Sequence, residues 1–148
     1  MNNYMFDTNI FNQIVDDNIN IASLKQSNKY YTTHIQLDEI SDTGDKERKS
    51  FLLGMFQEIG NEKVPTESAV WDVSKWDEAK FSNGDLYTLL LQELNKSKPR
   101  DKDNNIKDAL IAETSIKNGF ILVTADSALY RIVKNLGGSV LNWNEFLG

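Results

Sequence analysis

Cysteine is absent from the 148 residues, and histidine occurs once, at His34. The first absence excludes disulfides, thiolate zinc sites and cysteine nucleophiles. The second excludes a histidine-rich metal cage. Any metal must therefore be held by oxygen, a donor set that suits magnesium or manganese. No apolar run approaches the roughly 20 residues that a membrane-spanning helix needs. The opening MNNYMFDTNI lacks the basic flank and apolar stretch of a signal peptide. The expectations are no membrane partner and a cytoplasmic location.

What is present fits one globular domain over residues 1–148, with 40% hydrophobic and 26% charged residues. The net charge of −6 is uneven. Residues 1–74 hold 6 Lys/Arg against 12 Asp/Glu, whereas residues 75–148 hold 10 against 10. Acidic balance argues against a broad, non-specific nucleic-acid binder. It does not exclude a nucleic-acid substrate, because carboxylates also hold the metals that bind phosphate.

Hydrophobic patterning alternates strands with helices. Tyr4-Met5-Phe6 reads as a strand that runs through Asp7-Thr8-Asn9 into a helix carrying Ile10, Phe11, Ile14 and Val15. Tyr30 and Tyr31 mark a second strand, and Thr33-x-x-Gln36 is a capping box for a helix through Ile35, Leu37 and Ile40. After Gly44-Asp45, the residues Phe51, Leu52, Met55, Phe56 and Ile59 share one helical face, closed by Gly60-Asn61. A strand or irregular passage is expected at Ala69–Val73, then a short helix from Ser74 past Trp76. Asn83-Gly84 turns the chain into a helix opened by Asp85 and lined by Leu86, Leu89, Leu90 and Leu94. Lys96 to Asn105 reads as an exposed charged loop, with Asn104 or Asn105 capping a helix from Asp108 to Asn118, which Gly119 ends. Phe120–Val123 reads as a buried strand, Ala128–Leu136 as a helix and Ser139–Leu141 as a last strand. The fold class implied is α/β, a three-layer α/β/α sandwich around a mainly parallel sheet. In such sheets the site lies beyond the carboxyl ends of the strands.

Four acids converge on that edge. Asp7 follows the first strand, and Asp126 follows the strand at Ile121–Thr124. Asp108 falls in the first turn of its expected helix, on the stripe of Ile111, Ala112, Ser115 and Ile116. Glu39 stands one turn after Ile35, with Asp38 as its competitor, and Asp103 competes with Asp108. Singly, Asp7 and Asp126 read as helix caps, Asp108 as a carboxylate favoured by the helix dipole, and Glu39 as a solvated helix residue. Together, converging carboxylates repel one another and call for a cation.

Asp7-Thr8-Asn9, the segment Ile35–Ile40, Asp108-Ala109-Leu110-Ile111-Ala112 and Leu122-Val123-Thr124-Ala125-Asp126 resemble the ordered motifs of PIN domains. The likeness runs from residue 4 to about residue 141. It implies a metal-dependent ribonuclease using Mg2+ or Mn2+, of the kind found in VapC-like toxins. Asp7, Glu39, Asp108 and Asp126 would form the catalytic and metal-binding quartet, supported by Asn9 and Thr124. The implied partners are an RNA substrate, a cognate antitoxin and a second copy of the chain. Lys96, Lys98, Arg100, Lys102 and Lys107 are candidates for the RNA backbone, beside the plainer role of a solvated charged loop. The stretch from Gly44 to Asp103 is longer than in compact toxins and carries Trp71 and Trp76.

Other chemistries match less well. A phosphatase of the haloacid dehalogenase type wants a second Asp two residues after the first, where Asn9 stands. A receiver domain wants a Lys after a late strand, and Thr124-Ala125-Asp126 offers none. A 5′-nuclease needs additional DNA-binding elements, and a PIN-like scaffold without turnover would not need all four acids. Ser127 has no triad, and His34 reads as a surface or cap neighbour. Tyr30, Tyr31, Trp71 and Trp76 read as core, with base stacking as the alternative. Phe51, Leu52, Met55, Phe56 and Ile59 are expected to pack on the domain; if exposed, they become the candidate dimer or antitoxin groove.

Overall fold

A computed structural model describes residues 2–25, 28–60, 62–65 and 84–148. Five strands form one parallel sheet: β1 (Asn3–Phe6), β2 (Lys29–Thr32), β3 (Glu62–Lys63), β4 (Ile121–Thr124) and β5 (Val140–Asn142), in the order β3-β2-β1-β4-β5. The described helices are α1 (Thr8–Asp16), α2 (Ile21–Lys25), α3 (His34–Ser41), α4 (Lys46–Ile59), α5 (Gly84–Ser97), α6 (Lys102–Lys117), α7 (Ser127–Asn135) and α8 (Trp143–Leu147). The short elements α2, β3 and α8 carry too few periodic residues to announce themselves in sequence. The expected strand at Ala69–Val73, the helix from Ser74, Trp71 and Trp76 all lie outside the described residues.

Alternation along the strands divides the core. Tyr4 and Phe6 point to one face of the sheet, into a cluster with Ile10, Phe11, Phe56, Ile59 and Trp143. Met5 and Leu122 point to the other, against Leu90, Leu94, Leu110, Ile111, Leu129 and Val133. Burial on both faces is why β1 and β4 read as continuous apolar runs rather than alternating ones. The three-layer α/β expectation holds. Tyr30 is 3% exposed in the first cluster, which excludes it as a base-stacking platform. Tyr31 stacks on Phe120 at 4.2 Å.

Local chemistry sets most boundaries. The Thr33/Gln36 capping box opens α3, and Asp45 caps α4 through the N–H groups of Glu47 and Arg48. Gly119 closes α6 at φ +72°, where a side chain would be strained. Gly60 ends α4 against Thr32, whose Cγ2 would lie 2.2 Å from any added Cβ. Leu52, Met55, Phe56 and Ile59 are buried as expected, but Phe51 is 64% exposed. It borders a groove between α1, α2 and α4 that Ile14, Val15, Ile19 and Met55 also line.

The charged loop expected from Lys96 to Asn105 is corrected. Helix α5 runs through Ser97 and α6 starts at Lys102, so the link is 98–101. Asn105 is no cap. It is fully buried, and its Nδ2 donates to the Lys98 carbonyl at 2.8 Å and to Asn95 Oδ1 at 2.9 Å. A buried amide bridging two helices looks in sequence like one more polar loop residue.

Candidate active site at the carboxyl edge of the sheet

The strand order reverses around β1, since the chain steps outward through β2 and β3 and then returns to place β4 on β1's other side. That switch point opens a crevice beyond the carboxyl ends of β1 and β4. Asp7 and Asp126 emerge there. The Asp7 N–H bonds the Val123 carbonyl at 2.9 Å, which fixes the end of β1 against β4.

Asp7 is 3% exposed, and both of its oxygens are engaged. Oδ1 accepts from the Thr8 N–H at 2.9 Å, making Asp7 the cap of α1, and Oδ2 accepts from the Thr124 hydroxyl at 2.8 Å. Thr124 is itself fully buried and accepts from the Asp126 N–H at 3.0 Å, so one hydroxyl ties the two strand-end acids together. Asp126 caps α7, with Oδ1 accepting from Ala128 at 2.9 Å and Leu129 at 3.2 Å. Its Oδ2 accepts from the Lys98 ammonium. Asn9 Oδ1 receives the Ala125 N–H at 3.4 Å, a long bond across the same edge. The capping roles of Asp7 and Asp126 are therefore real, and they also orient both carboxylates.

Helices bring in the other two acids. Gln36, fully buried, donates from Nε2 to the Phe6 carbonyl at 3.1 Å and so pins α3 to the end of β1. One turn on, Glu39 Oε1 accepts from the Thr8 hydroxyl at 2.6 Å. Asp108 is corrected in position: it lies in the second turn of α6, not the first, so helix-dipole stabilisation at an N-terminus does not apply. Of the expected stripe, Ile111, Ala112 and Ser115 are buried and Ile116 is half-buried. Asp38 is exposed and lines a separate cavity with His34, Asp103 and Lys107.

Electrostatics link three of the acids. Burial pushes the Asp108 carboxyl up to about 8, helped by the charges of Asp7 and Glu39 and opposed by Lys98. Burial likewise raises Asp7 to about 6, against the Thr124 hydrogen bond and with a further push from Glu39. These carboxylate oxygens suit a hard divalent cation in chemistry and charge. Among the described residues, no group of three or more acids or histidines is gathered tightly enough to hold a metal ion as it stands.

The basic candidates separate. Lys98 faces the acids, and Lys96 pairs with Glu93 at 3.1 Å. Arg100, Lys102 and Lys107 line a polar groove with Asp101 and Asp103. Thr8 and Gln36 are the site residues that the sequence did not single out as such. Thr8 sits between Asp7 and Asn9 in the first motif, which is the signal that was available.

The fold has known counterparts. A chain of the VapBC2 complex from Rickettsia felis, crystallised with a DNA fragment from its promoter, is 24% identical, with a TM-score of 0.61 over 95% of this chain and 98% of its own. A chain of DNA-bound VapBC from Salmonella typhimurium is 16% identical, with a TM-score of 0.61 over 97% and 99%. A chain of VapBC-5 from Mycobacterium tuberculosis, a member of a toxin–antitoxin family, is 16% identical, with a TM-score of 0.54 over 96% and 98%. No protein-family model matches the sequence, and no curated protein matches it. The chain thus shares its α/β fold, over nearly its whole length, with chains of these VapBC complexes. Among the described residues no helix is long and apolar enough to cross a membrane.

Proposed function

We propose that the chain is a metal-dependent endoribonuclease and the toxin of a toxin–antitoxin pair. One observation carries the enzymatic part. At the switch point of the sheet Thr8 bonds both Asp7 and Glu39, and Thr124 bonds both Asp7 and the Asp126 N–H, with Asp108 within electrostatic reach of Asp7 and Glu39. A fold keeps such a gathering of acids where the charge is used. The fold shared with VapBC complexes supports the toxin role and, with it, a cognate antitoxin; a homodimer belongs to the same proposal.

In this proposal Asp7, Glu39, Asp108 and Asp126 would hold Mg2+ or Mn2+. The ion would supply Lewis acidity, making water a better nucleophile and neutralising charge on the phosphodiester. The chain's own residues set the geometry. Thr124 and the Thr8 N–H fix the Asp7 carboxylate, Thr8 Oγ1 holds Glu39 beside it, and the α7 amides aim Asp126. Asn9 ties the loop after β4 to α1. Arg100, Lys102 and Lys107 lie where they can follow an RNA backbone away from the acids. No side chain acts as nucleophile, and the products expected from this chemistry carry a 5′-phosphate and a 3′-hydroxyl.

The test is single-turnover cleavage of an end-labelled RNA pool and a matched DNA pool, with Mg2+, Mn2+ or EDTA. Cleavage of RNA alone, lost in EDTA and reduced by roughly two orders of magnitude or more in Asp7→Asn and Asp126→Asn, is expected. Full activity in both folded variants would remove the proposed site.

A further inference from the structure

Lys98 is the one candidate RNA contact that the structure aims into the acids rather than along the surface. Its backbone is held at both ends. The N–H donates to the Leu94 carbonyl at 2.7 Å, and the carbonyl accepts from the Asp101 N–H at 3.2 Å and from the buried Asn105 amide at 2.8 Å. Pro99 stiffens the next position. From this anchored point the ammonium pairs with Asp126 Oδ2, with side chains 28% and 14% exposed. Its charge also acts favourably on Asp7 and Asp108.

The contact competes for one atom. Asp126 Oδ1 is occupied by two amides at the start of α7, which leaves Oδ2 for a ligand, and Lys98 holds Oδ2. A divalent ion ligated by Asp126 Oδ2 therefore meets the ammonium's charge at the same oxygen and competes with it. We propose that Lys98 is a tethered counterion of the acidic site, standing in for the divalent cation in the metal-free protein and competing with it for Asp126 Oδ2. The inference rests on the proposed metal-dependent function and adds to it the residue that sets how much free metal the protein requires. An ordinary surface ion pair would have no such consequence.

Mn2+ titration of the full chain, followed by the loss of free-ion electron paramagnetic resonance signal, tests this without any RNA. Lys98→Gln should bind Mn2+ roughly tenfold more tightly than the unaltered protein, because a cation has been removed from the ion's place. Lys98→Arg, which keeps the charge, should stay close to the unaltered affinity. Equal or weaker binding by a folded Lys98→Gln variant would overturn the proposal. Absence of Mn2+ binding from every form would instead overturn the metal-dependent function, and this inference with it. Should Lys98→Gln not fold, the unaltered protein decides. The 15N resonance of the Lys98 ammonium should shift as Mg2+ is added if it is displaced, and an unmoved resonance at saturating Mg2+ would overturn the proposal.

Discussion

The aromatic face of the sheet and its carboxyl edge are built on opposite terms. On the face, Phe6 meets Phe11, Tyr30 and Phe146 at ring separations of 5.8, 5.0 and 5.3 Å, and Tyr4 meets Phe146 edge-on at 5.1 Å. Each contact there stabilises the fold through apolar burial and ring geometry. Directly after the same strand, Asp7 is buried with Glu39 and Asp108 within electrostatic reach, at a cost in the metal-free protein. The difference teaches that β1 has two duties. Its interior residues hold the sheet together, and its carboxyl end spends part of that stability on a charged site.

Substitutions should separate the two regions cleanly. On the face, Phe11→Ala leaves a cavity beside Phe6 and Phe56 and should destabilise by about 3–5 kcal/mol in denaturant unfolding. A loss under ~1 kcal/mol would mean that the aromatic cluster is not the core of the fold. At the edge, Asp108→Asn should do the reverse. A carboxyl raised in the folded state binds its proton more tightly there than in the unfolded chain. The metal-free protein should therefore lose stability as pH rises from about 4 through about 8. Asp108→Asn should flatten that decline and raise Tm at pH 8 by a few degrees, on the order seen for ~1 kcal/mol. An unchanged pH profile would show that Asp108 does not carry the repulsion. The smallest effect is expected on the outer groove. Arg100→Ala with Lys102→Ala should leave stability unchanged and lower the salt slope of RNA binding by about one to two. An unaltered slope would place the RNA elsewhere.

Much of this division was legible in the sequence. Apolar runs at Tyr4–Phe6 and Phe120–Val123, each followed by an acid, carry both the strands and the edge they share, because strand ends in a parallel sheet leave in one direction. The Thr33/Gln36 capping box was readable because its two residues satisfy each other locally. The link between α5 and α6 was not. Asn105 gains its meaning from contacts with Asn95 and the Lys98 carbonyl across a helix junction, and nothing local distinguishes it from a loop asparagine. Lys98 was grouped with its basic neighbours for the same reason. Only the turn after Ser97 reveals that it faces Asp126 while Lys96 faces Glu93. Thr8 stood inside a motif, yet its double service to Asp7 and Glu39 depends on where α3 docks.

The most direct measurement is thermal unfolding at pH 8 and pH 5, with and without millimolar Mg2+ or Mn2+. At pH 8 the ion should raise Tm by several degrees, since it relieves the repulsion among Asp7, Glu39 and Asp108 and binds the folded state alone. At pH 5 the gain should shrink, because Asp7 and Asp108 already carry protons. No metal-dependent shift at pH 8, from folded protein, would contradict the account of these acids as a cation site.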